Sequence, residues 1–307
     1  MSTFYMTYAR SRPNELIPWI EENDVPLLTN ACYRWSTNTD RFLHMWEYDT
    51  EHVVDAGGYN VQADYVDRSG NLTKDVAAVF KTREEAEPFY HFTLEQYHEW
   101  LQEHADEFSW ATAMDYACEK RFDSLWSVRH RIDATIDNTI RHIDCEPDYN
   151  VLPVLQGRSA DDYIYCLEQF EDHGVPTAYV GLGTVCRLSS ESKIVELERE
   201  LRERGVLEKI HGFGVKVAAY KMGAQFESAD SQAWVYNPSQ GKCSIINRTD
   251  NGLRMDTVDM SDGAKTRTIH SFKVYYAYVT SLMEGKPAVD VDDILAEQQN
   301  IGFTEQN

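Results

Sequence analysis

What most constrains this chain is an alternation of short β-type runs, each leaving into Gly, Pro or Asp, with amphipathic helical stretches. The β-type runs fall at residues 4–8, 26–30, 53–56, 110–114, 151–155, 178–182, 210–213 and 225–229. Helical patterns fall between and after them, at 83–107, 124–142, 160–173, 190–204, 217–222 and 271–283. The clearest is 190–204, where Ile194, Leu197 and Leu201 share one face at i, i+3 and i+7 and Gly205 follows as a stop. Ser159, in S-A-D-D, is placed to cap the helix before it. Strands that alternate with helices close most simply into a parallel barrel, so the expected fold is a (β/α)8 TIM barrel over residues 1–240. Residues 241–307 form a C-terminal extension whose helix packs outside the barrel, and the polar tail after Ala296 is expected to fray. An open doubly wound sheet is the alternative, but no G-x-G-x-x-G follows the first strand.

Composition narrows the setting. No apolar run approaches the roughly 18 residues of a membrane helix, and the N-terminal residues lack the pattern of a secretion signal. The expectation is a cytoplasmic protein with no membrane partner. The six cysteines are scattered with no C-x-x-C pair, which suits reduced thiols rather than a disulfide framework or a zinc knuckle. A net charge of −22 would repel phosphate. The acidic residues, however, are spread along the whole chain, which fits a surface working in molar salt, where charges are screened within about 3 Å. An ordinary acidic enzyme is the other reading. Under the first, net charge excludes neither DNA nor RNA.

In a parallel barrel the chemistry sits where strands end on their C-terminal side. V-V-D-A-G-G-Y ends one run in Asp55, then Gly57 and Gly58, whose bare backbone admits a ligand or a sharp turn, and Tyr59 is placed to lie over a planar base. A-M-D-Y ends the next in Asp115, and V-L-P-V-L-Q-G ends another in Gln156 and Gly157. A carboxylate and an amide suit the N–H and carbonyl edges of a heterocycle. Y-V-G-L-G offers backbone groups at Gly181 and Leu182, and H-G-F-G-V does so one strand later. F-E-S-A-D-S ends the last strand in Asp230, which with Asp55 across the mouth makes the two-carboxylate arrangement that breaks glycosidic bonds. Taken singly, each is equally a turn, a helix cap or a packing glycine.

Taken in order over about residues 50–235, these exits resemble the tRNA-guanine transglycosylase superfamily. The resemblance implies that Asp230 is the nucleophile forming a covalent glycosyl-enzyme, that Asp55 is the general acid/base and that Tyr59 stacks on the base. It implies that Asp115, Gln156, Gly157, Gly58, Gly181 and Leu182 bind the heterocycle. The sequence departs from that family in three ways. Ala56 replaces a serine. The family's zinc motif, C-x-C-x-x-C with a distant His, is missing; Cys243 and His270 sit about where its last Cys and its His would fall, and Asp250 or Asp256 are the nearest candidates to complete a set. No appended RNA-binding domain is recognisable. No cofactor and no structural metal are therefore expected. These departures resemble the DpdA-type enzymes, which exchange guanine in DNA for a 7-deazaguanine such as 7-cyano-7-deazaguanine. The implied partners are DNA, with tRNA as the alternative, and the free 7-deazaguanine base. With the acidic composition, the resemblance points to a haloarchaeal virus or host. Arg34, Arg158 and Arg187 follow strands and are candidates for phosphate contacts. The oligomeric state stays open, a homodimer included. A non-catalytic barrel and a retaining glycoside hydrolase are the rivals; the second would normally use Glu and a Trp-lined groove.

Overall fold

The structure, a computed structural model, describes residues 2–7, 14–45, 49–73, 89–185, 191–204, 209–215, 217–260 and 263–303. Its eight staves are β1 (Thr3–Thr7), β2 (Leu27–Asn30), β3 (His52–Asp55), β4 (Ala111–Thr112), β5 (Val151–Leu152 and Val154–Leu155), β6 (Tyr179–Leu182), β7 (Lys209–Gly212) and β8 (Ser228–Ser231). All are parallel, and β1 lies between β2 and β8. Pro153 splits β5 because it has no N–H to give a neighbour. Leu152 on one side of it accepts the Ala113 N–H at 3.3 Å, and the Pro153 carbonyl accepts the Gly181 N–H at 2.8 Å. One half of β5 pairs with β4 and the other with β6, so the sheet meets itself there. The chain forms the expected TIM barrel.

Period-two alternation sorts the strand side chains into two layers. Tyr5, Leu28, Val53, Trp110 and Leu152, with Tyr179 and Phe213 against them, form their own apolar cluster and fill the lumen. Two residues further along the same strands stand Thr7, Asn30, Asp55 and Thr112, so a polar layer lies directly above, at the C-terminal mouth. The alternate face, with Phe4, Met6 and Leu27, packs against Leu16, Phe170, Leu201 and Phe272 of the surrounding helices.

Those helices are α1 (Ile17–Glu22), α2 (Gly58–Ala63), α3 (Leu94–Glu103), α4 (Val128–Asp144), α5 (Ala160–Asp172), α6 (Glu191–Glu203) and α7 (Val217–Lys221). The Ser159 cap is a full capping box: its Oγ accepts the Asp162 N–H at 3.3 Å, and Asp162 Oδ2 accepts the Ser159 N–H at 3.0 Å. Of the helix expected over 83–107, residues 83–88 lie outside the described residues. Thr93 starts α3 with a capping box to Gln96. No described helix is long and apolar enough to cross a membrane, and the five described cysteines are free thiols.

The strongest departures from expectation lie late in the chain. β8 starts three residues into the expected 225–229 run, because it is defined by its ladder to β1, from Thr3↔Ser228 to Met6↔Ser231, rather than by the β propensity of Ser-Ala-Asp-Ser. Asp230 is thus inside a strand and not past its end. Residues 242–259 form an antiparallel hairpin, β9 (Lys242–Thr249) with β10 (Gly252–Asp259). Then α8 (Ala264–Glu284) brings Phe272, Val274 and Tyr275 into the core that Phe4 and Met6 share. The tail does not fray where expected: α9 (Val291–Asn300) is capped by Asp290, whose Oδ1 accepts the Asp292 N–H at 2.8 Å. It carries the fully buried Gln298, whose Oε1 accepts the Ile246 N–H at 2.8 Å and whose Nε2 donates to the Ile246 carbonyl at 3.2 Å. One side-chain amide thus replaces a missing neighbour strand beside β9. Gln298→Leu leaves both Ile246 groups buried and unpaired, and is expected to lower stability by about 2–4 kcal/mol in denaturant titrations, since each such group costs about 1–3 kcal/mol. An unchanged unfolding midpoint would mean that water replaces the amide.

Candidate active site

Asp55, the last residue of β3, is half-buried in the polar layer. Its Oδ2 accepts Asn30 Nδ2 at 2.8 Å from the neighbouring strand, and its Oδ1 accepts the Gly57 N–H at 3.1 Å. Gly57 has φ +91°, where a side chain is strained, and a Cβ on it would fall 2.5 Å from Asn30 Oδ1. A Cβ on Gly58 would fall 2.2 Å from the Asp115 carbonyl oxygen. The two glycines expected to admit a ligand instead admit Asn30 and Asp115, which locks the carboxyls of β3 and β4 side by side.

Asp115 is buried just beyond β4. The Tyr90 hydroxyl donates to its carbonyl at 2.9 Å and accepts its N–H at 3.1 Å. Gln156 Nε2 donates to Asp115 Oδ2 at 2.5 Å, and Gln156 Oε1 accepts the Thr184 hydroxyl at 2.6 Å. Thr184 Oγ1 in turn accepts the Cys118 N–H at 2.7 Å. Gln156 thus spends one amide hydrogen on Asp115 and one lone pair of its oxygen on Thr184.

Three other expected base-binding positions are engaged in the barrel wall. Gly157 gives room to α5, since a Cβ on it would lie 2.6 Å from Asp162 Cβ. Gly181 donates its N–H to Pro153, and a Cβ on it would lie 2.4 Å from the Phe213 ring. Leu182 accepts the Phe213 N–H at 3.3 Å and buries its side chain in the outer core. Tyr59 stands half-buried at the start of α2, with its hydroxyl taking Arg121 Nη1 at 2.9 Å and its ring edge-on to Phe122 at 5.7 Å. Arg158 grips Asp123 with Nη1 at 3.1 Å and donates Nε to the Cys118 carbonyl, and Arg34 donates to the His44 carbonyl. Arg187 lies outside the described residues.

Asp230 is buried in β8, three staves from Asp55 around the ring. Its Oδ2 accepts the Thr7 hydroxyl at 2.6 Å, and its Oδ1 accepts the Gly214 N–H at 2.8 Å. Behind it lies His211, fully buried, with Nε2 at 3.5 Å from Asp230 Oδ1 and Nδ1 at 2.6 Å from Ser228 Oγ, which is 2.5 Å from the Tyr179 hydroxyl. One assignment satisfies the chain: Tyr179 donates to Ser228, Ser228 donates to His211 Nδ1, and the His211 proton sits on Nε2, which faces the carboxylate at 3.5 Å without a hydrogen bond. The opposite tautomer would set a nitrogen lone pair against that carboxylate. Thr7, Asn30, Thr184 and His211 were missed in the sequence: Thr7 and Asn30 look like ordinary turn residues, and Thr184 and His211 stand beside Gly183 and Gly212, which drew the reading instead. The period-two register above the lumen is the signal that marks Thr7 and Asn30.

The electrostatics divide the mouth. Burial pushes the Asp55 and Asp115 carboxyls above the ordinary carboxylate range; for Asp55 the charge of Asp115 adds to this, and that of Asp230 adds less. Near neutrality the adjacent pair therefore retains a proton. Asp230 instead faces hydrogen-bond donors. A proton-holding carboxyl pair across from an oriented carboxylate can transfer a group from a glycosidic carbon. Cys243 and His270 do not fit a closed zinc site. Among the described residues neither belongs to a cluster of three donors, His270 Nδ1 lies 3.4 Å from Glu297 Oε1, and Asp256 accepts Arg254 and Asn247.

Because the folded state binds the Asp55 proton more tightly than the unfolded chain does, stability falls as pH rises from about 4 to about 8. In Asp55→Asn that loss is expected to be smaller. Melting temperatures of both proteins across this range, at fixed salt, check it: parallel curves would mean that Asp55 carries no raised pKa.

No curated protein matches the sequence. The family model DpdA, DeoxyPurine in DNA protein A, matches residues 62–250, more than half of the chain, including Asp115, Gln156, His211 and Asp230. The barrel, the ring of carboxyls at its mouth and this match lead to one conclusion: the chain belongs to the DpdA family.

Proposed function

We propose that the protein is a base-exchange transglycosylase that replaces guanine in DNA with a 7-deazaguanine, 7-cyano-7-deazaguanine or a derivative, through a covalent aspartyl-glycosyl intermediate. The observation that carries the reading is the division of the mouth into Asp230, oriented by donors, and the proton-holding pair Asp55 and Asp115 three staves away. The family's own description, a deoxypurine in DNA, supports the polymer.

The target nucleotide leaves the stack at a cost of a few kcal/mol, offset in part by stacking on Tyr59 and by hydrogen bonds to Asp115. Asp230 Oδ2, which carries the single Thr7 bond, attacks C1′ as the C1′–N9 bond breaks. Asp55 supplies the proton to the departing guanine, and this leaves it a base. It then removes the N9 proton of the incoming 7-deazaguanine; N9 attacks C1′, and the ester bond to Asp230 breaks. Two displacements retain configuration, and Asp55 ends protonated again, with the incoming base's N9 proton in place of the one that left on guanine. The Gly214 N–H holds Oδ1 throughout, with His211 Nε2 facing it at 3.5 Å, so the carboxylate is positioned both as it attacks and as it leaves.

Asp230→Asn is expected to abolish both exchange of labelled guanine and the protein–DNA adduct trapped on denaturing gels. Normal exchange by the variant would exclude Asp230 as the nucleophile. Offering duplex DNA and tRNA side by side tests the polymer, since the 2′-hydroxyl distinguishes them; exchange confined to tRNA would overturn the DNA reading. His211→Phe, which fills the lumen without a polar group facing Asp230, is expected to lower kcat with KM held. A loss confined to KM would place His211 in binding instead.

A further inference from the structure

We infer that His44, His104 and Glu107 form a divalent-cation site of the zinc class on the outside of the barrel, independent of the chemistry at its mouth. One nitrogen of each histidine and one Glu107 oxygen all lie within 4.8 Å of one another, near enough to share one ion after small side-chain rotations. His44 Nδ1 lies 2.9 Å from the Met45 carbonyl, so that nitrogen carries the hydrogen and Nε2 presents its lone pair. A ligating histidine is held in this way, its second nitrogen anchored to a backbone oxygen. His104 is buried, with Nδ1 at 2.7 Å from Glu107 Oε1, while Glu107 Oε2 is buried and meets no hydrogen-bond donor. A buried carboxylate oxygen without a donor is costly, and a cation satisfies it.

The ligands come from two segments that packing already holds together. A short hairpin, Trp35–Ser36 with Arg41–Phe42, leads into His44, and α3 leads into His104. Phe42 stacks on Trp100 at 4.5 Å with the planes 11° apart, and Trp100 Nε1 donates to the Leu43 carbonyl at 3.1 Å. The two imidazoles meet edge to face at 4.5 Å. An ion therefore has little to order on binding, beyond displacing the long 3.5 Å contact from the Met45 N–H to His104 Nε2. A cavity of about 270 Å³ beside them, lined by His44, His104, Trp100, Glu103 and Arg41, leaves room for a water as fourth ligand. Glu107 lies just before β4 begins, at the end of the barrel opposite the mouth, so the ion clamps the β2–β3 connection to the end of α3. His44 and His104 are 60 positions apart, which is why no short ligand motif marks the site.

The test uses the full chain, stripped with chelator and titrated with Co²⁺ while the ligand-field absorption is followed, then displaced with Zn²⁺. The wild type is expected to bind one equivalent with a tetrahedral-type spectrum and to melt at a higher temperature with Zn²⁺. His44→Ala removes an exposed side chain, so it keeps the fold, and it is expected to lose affinity about tenfold or more along with the melting shift. His104→Gln is expected to do the same, and Cys243→Ala to bind as the wild type does. Absence of one-equivalent binding in the wild type, or undiminished binding by His44→Ala, would overturn the site and leave His104 and Glu107 as a plain ion pair. None of these outcomes depends on base exchange.

Discussion

The parallel ladder that meets itself at Pro153 sets the place of every polar group in the mouth. A side chain in a ring of staves has two directions only, lumen or helix layer, and the ladder register decides which. Tyr5, Leu28 and Val53 fill the lumen with aromatic and branched groups, and the next inward position on each strand falls at the open end. Thr7, Asn30 and Asp55 occupy those positions. A shift of one residue in β3 would turn Asp55 into the helix layer and Val54 into the mouth. The apolar lumen below therefore holds the site in register, since slipping any strand would expose one of its residues and bury a carboxylate among helices.

Concentrating carboxyls there is unfavourable, and the surroundings show how it is offset. Asp55 and Asp115 are pressed together by Gly57 and Gly58, neither of which tolerates a Cβ. Asn30, Gln156 and the Gly57 N–H each supply a donor to one of the two. These donors do not cancel burial and mutual repulsion, so the pair sits above the ordinary carboxylate range. That residual imbalance is what a proton shuttle needs. Across the ring, Asp230 receives Thr7 and Gly214 and faces His211, with no carboxylate beside it on β7 or β1. Two environments within one mouth give chemically similar side chains different tasks.

How much of this was legible in the sequence follows from what sequence patterns encode. The strand–helix alternation and the Asp-then-Gly exits are local, and they led to the barrel, Asp55, Asp115 and Asp230. Thr7 and Asn30 are also at strand ends, but a Thr or Asn there looks like any turn residue until the lumen residue two positions earlier is known to point inward. His211 was hidden because its strand was read for its glycines. Gln156 was found, but its bonds to Asp115 and to Thr184, 28 residues later, were not; contacts between staves carry no local signature. The hairpin of β9 and β10 and the helix α9 escaped for the same reason, since Gln298 is polar by composition and buried only because Ile246 needs it.

The extension is not an appendage to the barrel. Trp234, in the turn after β8, donates Nε1 to the Thr7 carbonyl at 3.1 Å and packs edge-on against Phe272 of α8 at 5.0 Å. Thr7 in turn donates to Asp230. A continuous path thus runs from the outer helix through Trp234 and the end of β1 to the carboxylate that faces the mouth. β1 and β8 are the first and last staves of the chain, and no crossover helix joins them. The extension supplies the missing cover over that seam with Phe272, Val274 and Tyr275, where the other staves are covered by the helices of their own connections. The seam is also where Asp230 stands, so the packing that closes the barrel and the packing that orients this carboxylate are the same set of contacts.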